Sequence, residues 1–418
     1  MEYRPRVADQ LLSDRLTSAG AVVLEGPKAC GKTWTARQFA ASEVLLDVDS
    51  NARDALDADP ALILEGASPR LVDEWQIGGT PLWNHVRRAI DDRQSAGQFI
   101  LTGSSTPADD VTRHSGAGRF ARIAMRPMSL YEVGDSTGEI SVAGLLAGKH
   151  TSCPDPGLGV RDIIDRIAVG GWPSNLGGSV DSALQRNIDY LDHAREVDIP
   201  SISGPRRDPE RLRRLLTSLA RNTATEVKIS ALARETLGDN ETALARTTIY
   251  DYLAALDRLM LIDDVPAWST HLRSRATLRQ EPKRHFVDPS LAVAALASTP
   301  KRLLDHLSFG GFLFESLVVR DLRVLSSPLR GTVAHYRDSN GVEVDVILQI
   351  PDGTWGAFEV KLGPGRIDDA AASLLKFAST VDTEKAGEPA VLGVITTATY
   401  GYTRKDGIQV IPIAALRP

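Results

Sequence analysis

At 418 residues, with 42% hydrophobic and 24% charged side chains, the chain has the make-up of a globular protein of roughly two or three domains. A net charge of −6 excludes a chain that coats nucleic acid along its whole length and leaves room only for a local basic surface. Two cysteines, Cys30 and Cys153, are too few for a disulfide framework or a zinc-ligand cluster. Met1-Glu2-Tyr3-Arg4-Pro5-Arg6 lacks the apolar core of a signal peptide, and no run is long enough to span a bilayer. A cytoplasmic, reducing location without membrane contact is the simplest expectation.

Val7 to Ala19 reads as a helix and Ala21 to Glu25 as a short buried strand. Then comes Gly26-Pro27-Lys28-Ala29-Cys30-Gly31-Lys32-Thr33, which fits the P-loop pattern of Gly, four residues, Gly-Lys-Thr. Lys32 to Ala41 reads as the opening of a helix. A strand, a glycine-bearing loop and a helix N-terminus in this order let backbone N–H groups face a phosphate. Val44 to Asp49 is expected as a second strand ending in a carboxylate, and Asp54 to Leu64 as a helix. Arg70-Leu71-Val72-Asp73-Glu74 is an apolar strand ending in two acids. In P-loop ATPases such a strand end supplies an Asp near Mg²⁺ and a Glu that orients water. Pro81 to Asp92 carries Leu82, Val86 and Ile90 at helical spacing. Gln98 to Thr102 is a further buried strand, and Gly103-Ser104-Ser105 is either a serine-rich turn or a polar tip aimed at the γ-phosphate. Alternating strands and helices imply a parallel sheet with the ligand at the carboxyl ends of its strands.

Leu24 to Thr33, Leu71 to Gln76 and Ile100 to Ser105 resemble the AAA-type ATPase module of a widespread prokaryotic family of predicted ATP-binding proteins. The C-terminal region of that family is usually described only as a domain of unknown function. Gly118-Arg119-Phe120 and Arg126-Pro127-Met128-Ser129-Leu130-Tyr131-Glu132 match its Gly-Arg and Pro-Leu-Ser-x-x-Glu signatures, with Met128 in place of Leu. The resemblance implies ATP and Mg²⁺ as cofactors, with Gly26 to Thr33 cradling the phosphates. It implies Lys32 on the β- and γ-phosphates, Thr33 and (through water) Asp73 on the metal, Glu74 as base, and Ser104 or Ser105 as sensor. It also suggests a homo-oligomer. Arg119 is a candidate trans-acting finger, with a surface arginine or the partner of a nearby acid as alternatives.

Ser136 to Gly159 is rich in Gly, Ser and Pro and reads as loops around a short helix. Gly170-Gly171-Trp172-Pro173 is a tight turn with a buried anchor; the family resemblance continues through it, and Arg186 to Ile199 matches that family's helix after the turn. Ile229 to Leu237 makes a short helix, and Ile249, Leu253, Leu256 and Met260 stripe another. Leu261 to Val265 is then a strand, as in a winged helix, which often binds DNA through its second helix. Between 201 and 284, fifteen Arg and Lys face eleven Asp and Glu, a net of +4, with clusters at Arg206-Arg207, Arg211 to Arg214 and Arg273 to Arg284. That balance permits phosphate contact without demanding it, so DNA is a candidate partner and plain packing the alternative.

Phe309 to Leu322 reads as an amphipathic helix carrying Glu315, and His335-Tyr336-Arg337 as a strand. Val342 to Leu348 alternates with period two, placing Val342, Val344, Val346 and Leu348 on one face and Glu343 and Asp345 on the other. Trp355 to Leu362 returns. A three-residue hairpin at Pro351-Asp352-Gly353, with Gly353 left-handed, pairs Ile350 with Thr354, Asp345 with Glu359 and Glu343 with Lys361. Opposed carboxylates repel unless a divalent cation or a proton lies between them, which points to a second Mg²⁺ or Mn²⁺ at Asp345 and Glu359. Asp345, thirteen intervening residues, then Glu359-Val360-Lys361 resembles the motif of restriction-endonuclease-like nucleases, and Glu315 matches the helical acid of that fold. The bland alternative is a hairpin with ion pairs on a fold without catalysis.

The sequence therefore predicts an α/β chain: an AAA-type P-loop ATPase core (1–135), a helical connector (136–200), a helical and winged-helix region (201–300) and an endonuclease-like α/β domain (301–418). The expected function is an Mg²⁺-dependent ATPase that rearranges its C-terminal parts, with DNA as a candidate target. An ATP-regulated nuclease and a nucleotide-dependent binding protein are the alternatives.

Overall fold

The computed structural model describes residues 2–104, 116–202, 207–237, 245–269 and 281–418. Ser105, Arg206 and the basic run from Arg273 to Arg279 lie outside the described residues. The chain divides into two compact units, Met1–Pro127 with Arg258–Met260, and Met128–Asp257 with Leu261–Pro418.

The first unit is built on five parallel strands, β1 (Ala21–Glu25), β2 (Ser42–Leu45), β3 (Arg70–Asp73), β4 (Phe99–Gly103) and β5 (Phe120–Ala124), in the order β2-β3-β4-β1-β5. Strand β4 lies between β1 and β3, so Glu25, Asp73 and Gly103 end at one edge of the sheet. Buried Val22, Leu24, Leu71, Val72, Ile100 and Leu101 make these strands apolar on both faces, as a helix-covered parallel sheet requires. The helices are α1 (Val7–Leu16), α2 (Lys32–Arg37), α3 (Ser50–Ala58) and α4 (Gly79–Arg93). Leu82, Val86 and Ile90 of α4 join Val23, Val72 and Leu101 in one apolar cluster, within which Trp83 stacks on Phe120 at 4.0 Å.

Two expectations from sequence are corrected here. The α2 helix stops at Arg37 rather than running to Ala41. The second strand ends at Leu45, and Asp49 is no strand-end carboxylate: its side chain accepts the N–H groups of Asn51 and Ala52 and caps α3.

The second unit combines helices with a seven-stranded mixed sheet. Pro209–Arg221, Ile229–Thr236 and Arg246–Arg258 are helical. Ile249, Leu253 and Leu256 are buried as the apolar stripe requires, whereas Met260 stands beyond the helix end. Two antiparallel bridges follow, Ile262 with Phe286 and Val265 with Lys283. The long helix Leu307–Leu325 precedes Thr332–Arg337, Glu343–Gln349 and Trp355–Lys361, which pair antiparallel in sequence. Helix Ile367–Thr380 then crosses to Val391–Thr396, which lies parallel to Trp355–Lys361. Trp268, Trp355 and Phe377 centre the core on this side of the sheet. Residues expected as loops after 136 supply edge pairings to the same region: Ser152–Cys153 pairs with Gly401–Thr403, and Ile140–Ser141 with Leu416–Arg417.

The signature at 126–132 acquires a physical meaning. Ser129 and Glu132 form a reciprocal capping box at the start of a short helix. Met128 N–H donates to the Gly171 carbonyl at 2.7 Å, and a Cβ at Gly171 would lie 2.1 Å from the Met128 carbonyl oxygen, so only glycine permits the approach. Trp172 is buried as the expected anchor, and its Nε1 donates to Ser290 Oγ.

Beneath this turn lies a fully buried Arg320, donating to Asp288 Oδ2 at 2.8 Å and to Asp321 Oδ1 at 2.6 Å. Asp288 also accepts Gly171 N–H, and Asp321 accepts Leu130 N–H. One guanidinium thus ties together four segments distant in sequence. Arg320→Met leaves two carboxylates buried without a cation and is expected to destabilise the second unit by about 3–5 kcal/mol, read as a lowered denaturation midpoint.

Candidate functional site

The P-loop runs from the carboxyl end of β1 into α2. Ala29 (φ +62) and Gly31 (φ +106) are both left-handed, which curls the backbone before the helix begins at Lys32. A Cβ on Gly26 would lie 2.4 Å from the Met125 carbonyl oxygen, so this first glycine is required by the close passage of the chain after β5. Lys32 is buried, its Nζ donating to the carbonyls of Gly26 at 2.8 Å and Pro27 at 2.9 Å. Thr33 Oγ1 donates to Asp73 Oδ1 at 2.8 Å, and Thr102 Oγ1 donates to the same oxygen. The three side chains that the sequence assigned to phosphate and metal, Lys32, Thr33 and Asp73, therefore converge at one edge of the sheet.

Glu74 follows Asp73 in the left-handed region (φ +52), a conformation that is uncommon for a side chain of this kind. Its carboxylate accepts from Ser104 Oγ at 3.0 Å and from Gln76 Nε2. Thr102 on β4 reaches Asp73, and Ser104, just beyond the strand, reaches Glu74.

Arg119 lies away from the P-loop of its own chain. It precedes β5, and Phe120 pairs with Ala21 at the start of β1, so Arg119 stands at the amino end of the sheet. The P-loop leaves from the other end, roughly 16 Å away along five residues of strand. Arg119 Nε donates to Asp91 Oδ1 at 2.6 Å and Nη1 to the Ala117 carbonyl. That is the expected alternative of a partner for a nearby acid, and the arginine is not part of the nucleotide site of its own chain.

Sequence reading missed Arg6. Its guanidinium, buried, donates to the Cys30 carbonyl of the P-loop at 2.8 Å and to the Arg126 carbonyl at 2.8 Å. The Arg6 N–H donates to Asp9, and Tyr3 OH bonds Asp9 at 2.5 Å and lies 3.1 Å from Thr35 Oγ1 on α2. Burial and the Asp9 carboxylate push the Tyr3 hydroxyl up, so it remains a donor. A P-loop that turns its N–H groups to a phosphate turns carbonyls away, and Arg6 satisfies one of them. The only trace in the sequence was an arginine just before an apolar-periodic helix, too common a pattern to single out.

In the second unit the predicted hairpin register is realised as far as Phe358–Val346, and the expected Asp345–Glu359 pair does not form in the ladder. Ile350 N–H donates to the Thr354 carbonyl, Gly353 has φ +95, and the ladder runs from Trp355–Gln349 to Phe358–Val346. Beyond that pair the strands part. Asp345 Oδ2 accepts the Val360 N–H at 2.9 Å, and Lys361 Nζ lies 3.0 Å from Asp345 Oδ2 and 2.5 Å from Glu359 Oε2. Glu343 does not meet Lys361; it pairs with Arg337 at 3.0 Å on the neighbouring strand. The expected unbroken alternation is also corrected. Between Ala334–Ile347 and Tyr336–Val344 one residue, His335, faces two, Asp345 and Val346. This bulge lets Val344 and Ile347 enter the same apolar cluster and re-aims Asp345.

The helical Glu315 joins the group through a second residue that sequence reading did not assign to it. Lys283 Nζ lies 2.7 Å from Glu315 Oε1 and 3.5 Å from Asp345 Oδ1. Burial, and then the Asp345 charge, push the Glu315 carboxyl up to about 8, and the same two causes push Glu359 up to about 7. Lys283 and Lys361 hold Asp345 below the usual carboxylate range despite its burial. Among the described residues, no group of three or more His, Cys, Asp or Glu side chains is arranged to hold a metal ion.

Residues 18–134 match a family model described as an AAA domain. Residues 160–302 and 310–416 match two models described as domains of unknown function, DUF8612 and DUF4143. No curated protein matches the chain. Among solved structures, the Walker-type ATPase paby2304 of Pyrococcus abyssi is 14% identical, covering 70% of this chain and 99% of its own, with a TM-score of 0.43. A STAND signal-transduction ATPase with a tetratricopeptide repeat sensor, PH0952 from Pyrococcus horikoshii, is 12% identical, covering 79% and 50%, with a TM-score of 0.22. The first unit has the P-loop NTPase fold. With the AAA domain and the converging P-loop residues, the chain carries an ATP-binding, AAA-type ATPase domain. No helix among the described residues is long and apolar enough to cross a membrane.

Arg6→Ala leaves the Cys30 carbonyl without its charged donor. It is expected to weaken ATP binding by roughly tenfold, with Arg6→Lys restoring part of the loss, as measured by titration with a fluorescent ATP analogue.

Proposed function

We propose that this protein is an Mg²⁺-dependent ATPase that uses nucleotide binding and hydrolysis to change the state of its helical and C-terminal parts. The observation that carries the reading is the convergence of Lys32, Thr33, Asp73 and Glu74 on the P-loop edge of the sheet. Lys32 would hold the β- and γ-phosphates, while Thr33 and Asp73 would hold Mg²⁺, directly and through water. The bound metal would neutralise charge developing on the phosphates. Glu74 is the base or water-orienting group, and Ser104 and Gln76 position it. Lys32→Ala is expected to abolish ATP binding. Glu74→Gln is expected to keep binding and lower kcat by roughly 10²–10⁴-fold in a phosphate-release assay. Absence of ATP binding by the wild type would overturn the reading.

The target of the C-terminal parts is the finer question. Helices Ile229–Thr236 and Arg246–Arg258 with the bridged segments around Val265 and Lys283 have the order of a winged helix, and exposed Arg246, Thr247 and Tyr250 offer a surface for DNA. A helix, three antiparallel strands, a crossover helix and a parallel strand have the order of an endonuclease-like fold, with Asp345, Glu359 and Lys361 at one strand end. An ATP-regulated nuclease and a nuclease-like domain without cleavage remain as two forms of this reading. Under the first, the wild type cleaves DNA with added Mg²⁺ or Mn²⁺, and Asp345→Ala and Lys361→Ala do not. Under the second, none of the three cleaves.

A further inference from the structure

The spacing of Asp345, Glu359 and Lys361 calls for a cation among carboxylates, and the folded chain brings one of its own. Lys283 Nζ contacts Glu315 Oε1 at 2.7 Å and Asp345 Oδ1 at 3.5 Å, while Lys361 Nζ contacts Asp345 Oδ2 at 3.0 Å and Glu359 Oε2 at 2.5 Å. Both oxygens of Asp345 therefore face an ammonium group, and Oδ2 accepts the Val360 N–H in addition.

Lys283 is no wandering surface side chain. Its backbone is pinned by reciprocal hydrogen bonds with Val265, Lys283 N–H to the Val265 carbonyl at 3.0 Å and Val265 N–H to the Lys283 carbonyl at 2.9 Å. The side chain is 11% exposed. Its cation is felt beyond the carboxylates: burial and the Lys283 charge together hold His335 neutral, its pKa down to about 4. A divalent ion bound about 2.0–2.1 Å from carboxylate oxygens would have to share this volume with the ammonium. The same positive field would oppose its entry.

We propose that Lys283 is the resident cation of the C-terminal site, so that Glu315, Asp345, Glu359 and Lys361 form an internal ion-pair network that takes no divalent metal. The inference rests on the endonuclease-like reading of this region and assigns it to the form without metal-dependent cleavage.

The test is Mn²⁺ binding by the full-length, nucleotide-free chain, followed by calorimetry, by electron paramagnetic resonance and by the thermal midpoint. Wild type, Asp345→Asn, Lys283→Met, Lys283→Gln and the double variant Lys283→Met with Asp345→Asn are compared. Glutamine keeps a polar group in the site in case methionine impairs folding, and circular dichroism reports the fold of each. The expected result is no Asp345-dependent Mn²⁺ binding in the wild type. A lowered thermal midpoint in the single variants should be recovered by Mn²⁺, with affinity raised at least roughly tenfold and lost again in the double variant. Wild-type Mn²⁺ binding that is abolished by Asp345→Asn would overturn the inference while leaving the endonuclease-like reading intact. Folded single variants that bind no Mn²⁺ would overturn both.

Discussion

A charge taken out of water must be met by opposite charge or by dipoles, and this constraint governs each part of the chain that matters. Arg320 meets Asp288 and Asp321 and thereby holds segments near 130, 171, 288 and 320 in one arrangement. Arg6 meets two carbonyls and sets the P-loop. Lys283 and Lys361 meet three carboxylates at a bulged strand end. In all three places the cation lies far in sequence from at least one of its partners, so the pairing itself records the tertiary fold.

The nucleotide site follows the same logic at finer scale. Lys32 is satisfied by loop carbonyls, Asp73 by Thr33 and Thr102, and Glu74 by Ser104 and Gln76. These polar groups at the P-loop end of the sheet are thus already oriented by neighbours, which limits the reorganisation that binding demands. The left-handed backbone at Glu74 is retained because the surrounding hydrogen bonds over-determine it.

Much of this was legible from residue order. A P-loop is read locally: glycine spacing, one lysine and one threonine between a strand and a helix are sufficient, because backbone geometry does the recognition. The hairpin register from Gln349–Trp355 to Val346–Phe358 was equally legible, since a three-residue turn with Gly353 at the left-handed position leaves one alignment of the two strands. The Gly118-Arg119 signature left three roles open for Arg119: a finger on a neighbour's phosphate, a surface arginine, or the partner of a nearby acid. Only the pairing of Phe120 with Ala21 shows that it lies at the opposite end of the strands. The partner of Glu343 was misjudged, because the bulge at Asp345 and Val346 is invisible to a period-two pattern.

By itself the sequence determined the ATP-binding class, the strand and helix pattern of the first unit and the three-residue hairpin, since each depends on contacts between near neighbours in the chain. Tertiary structure alone decided which cations stand beside which anions. Arg6 reaches Cys30 and Arg126, Arg320 reaches Asp288, and Lys283 reaches Glu315 and Asp345. The physical reason is the same each time. A buried ion is neutralised by whatever the fold brings within a few ångströms of it, and spacing along the chain carries no record of that distance.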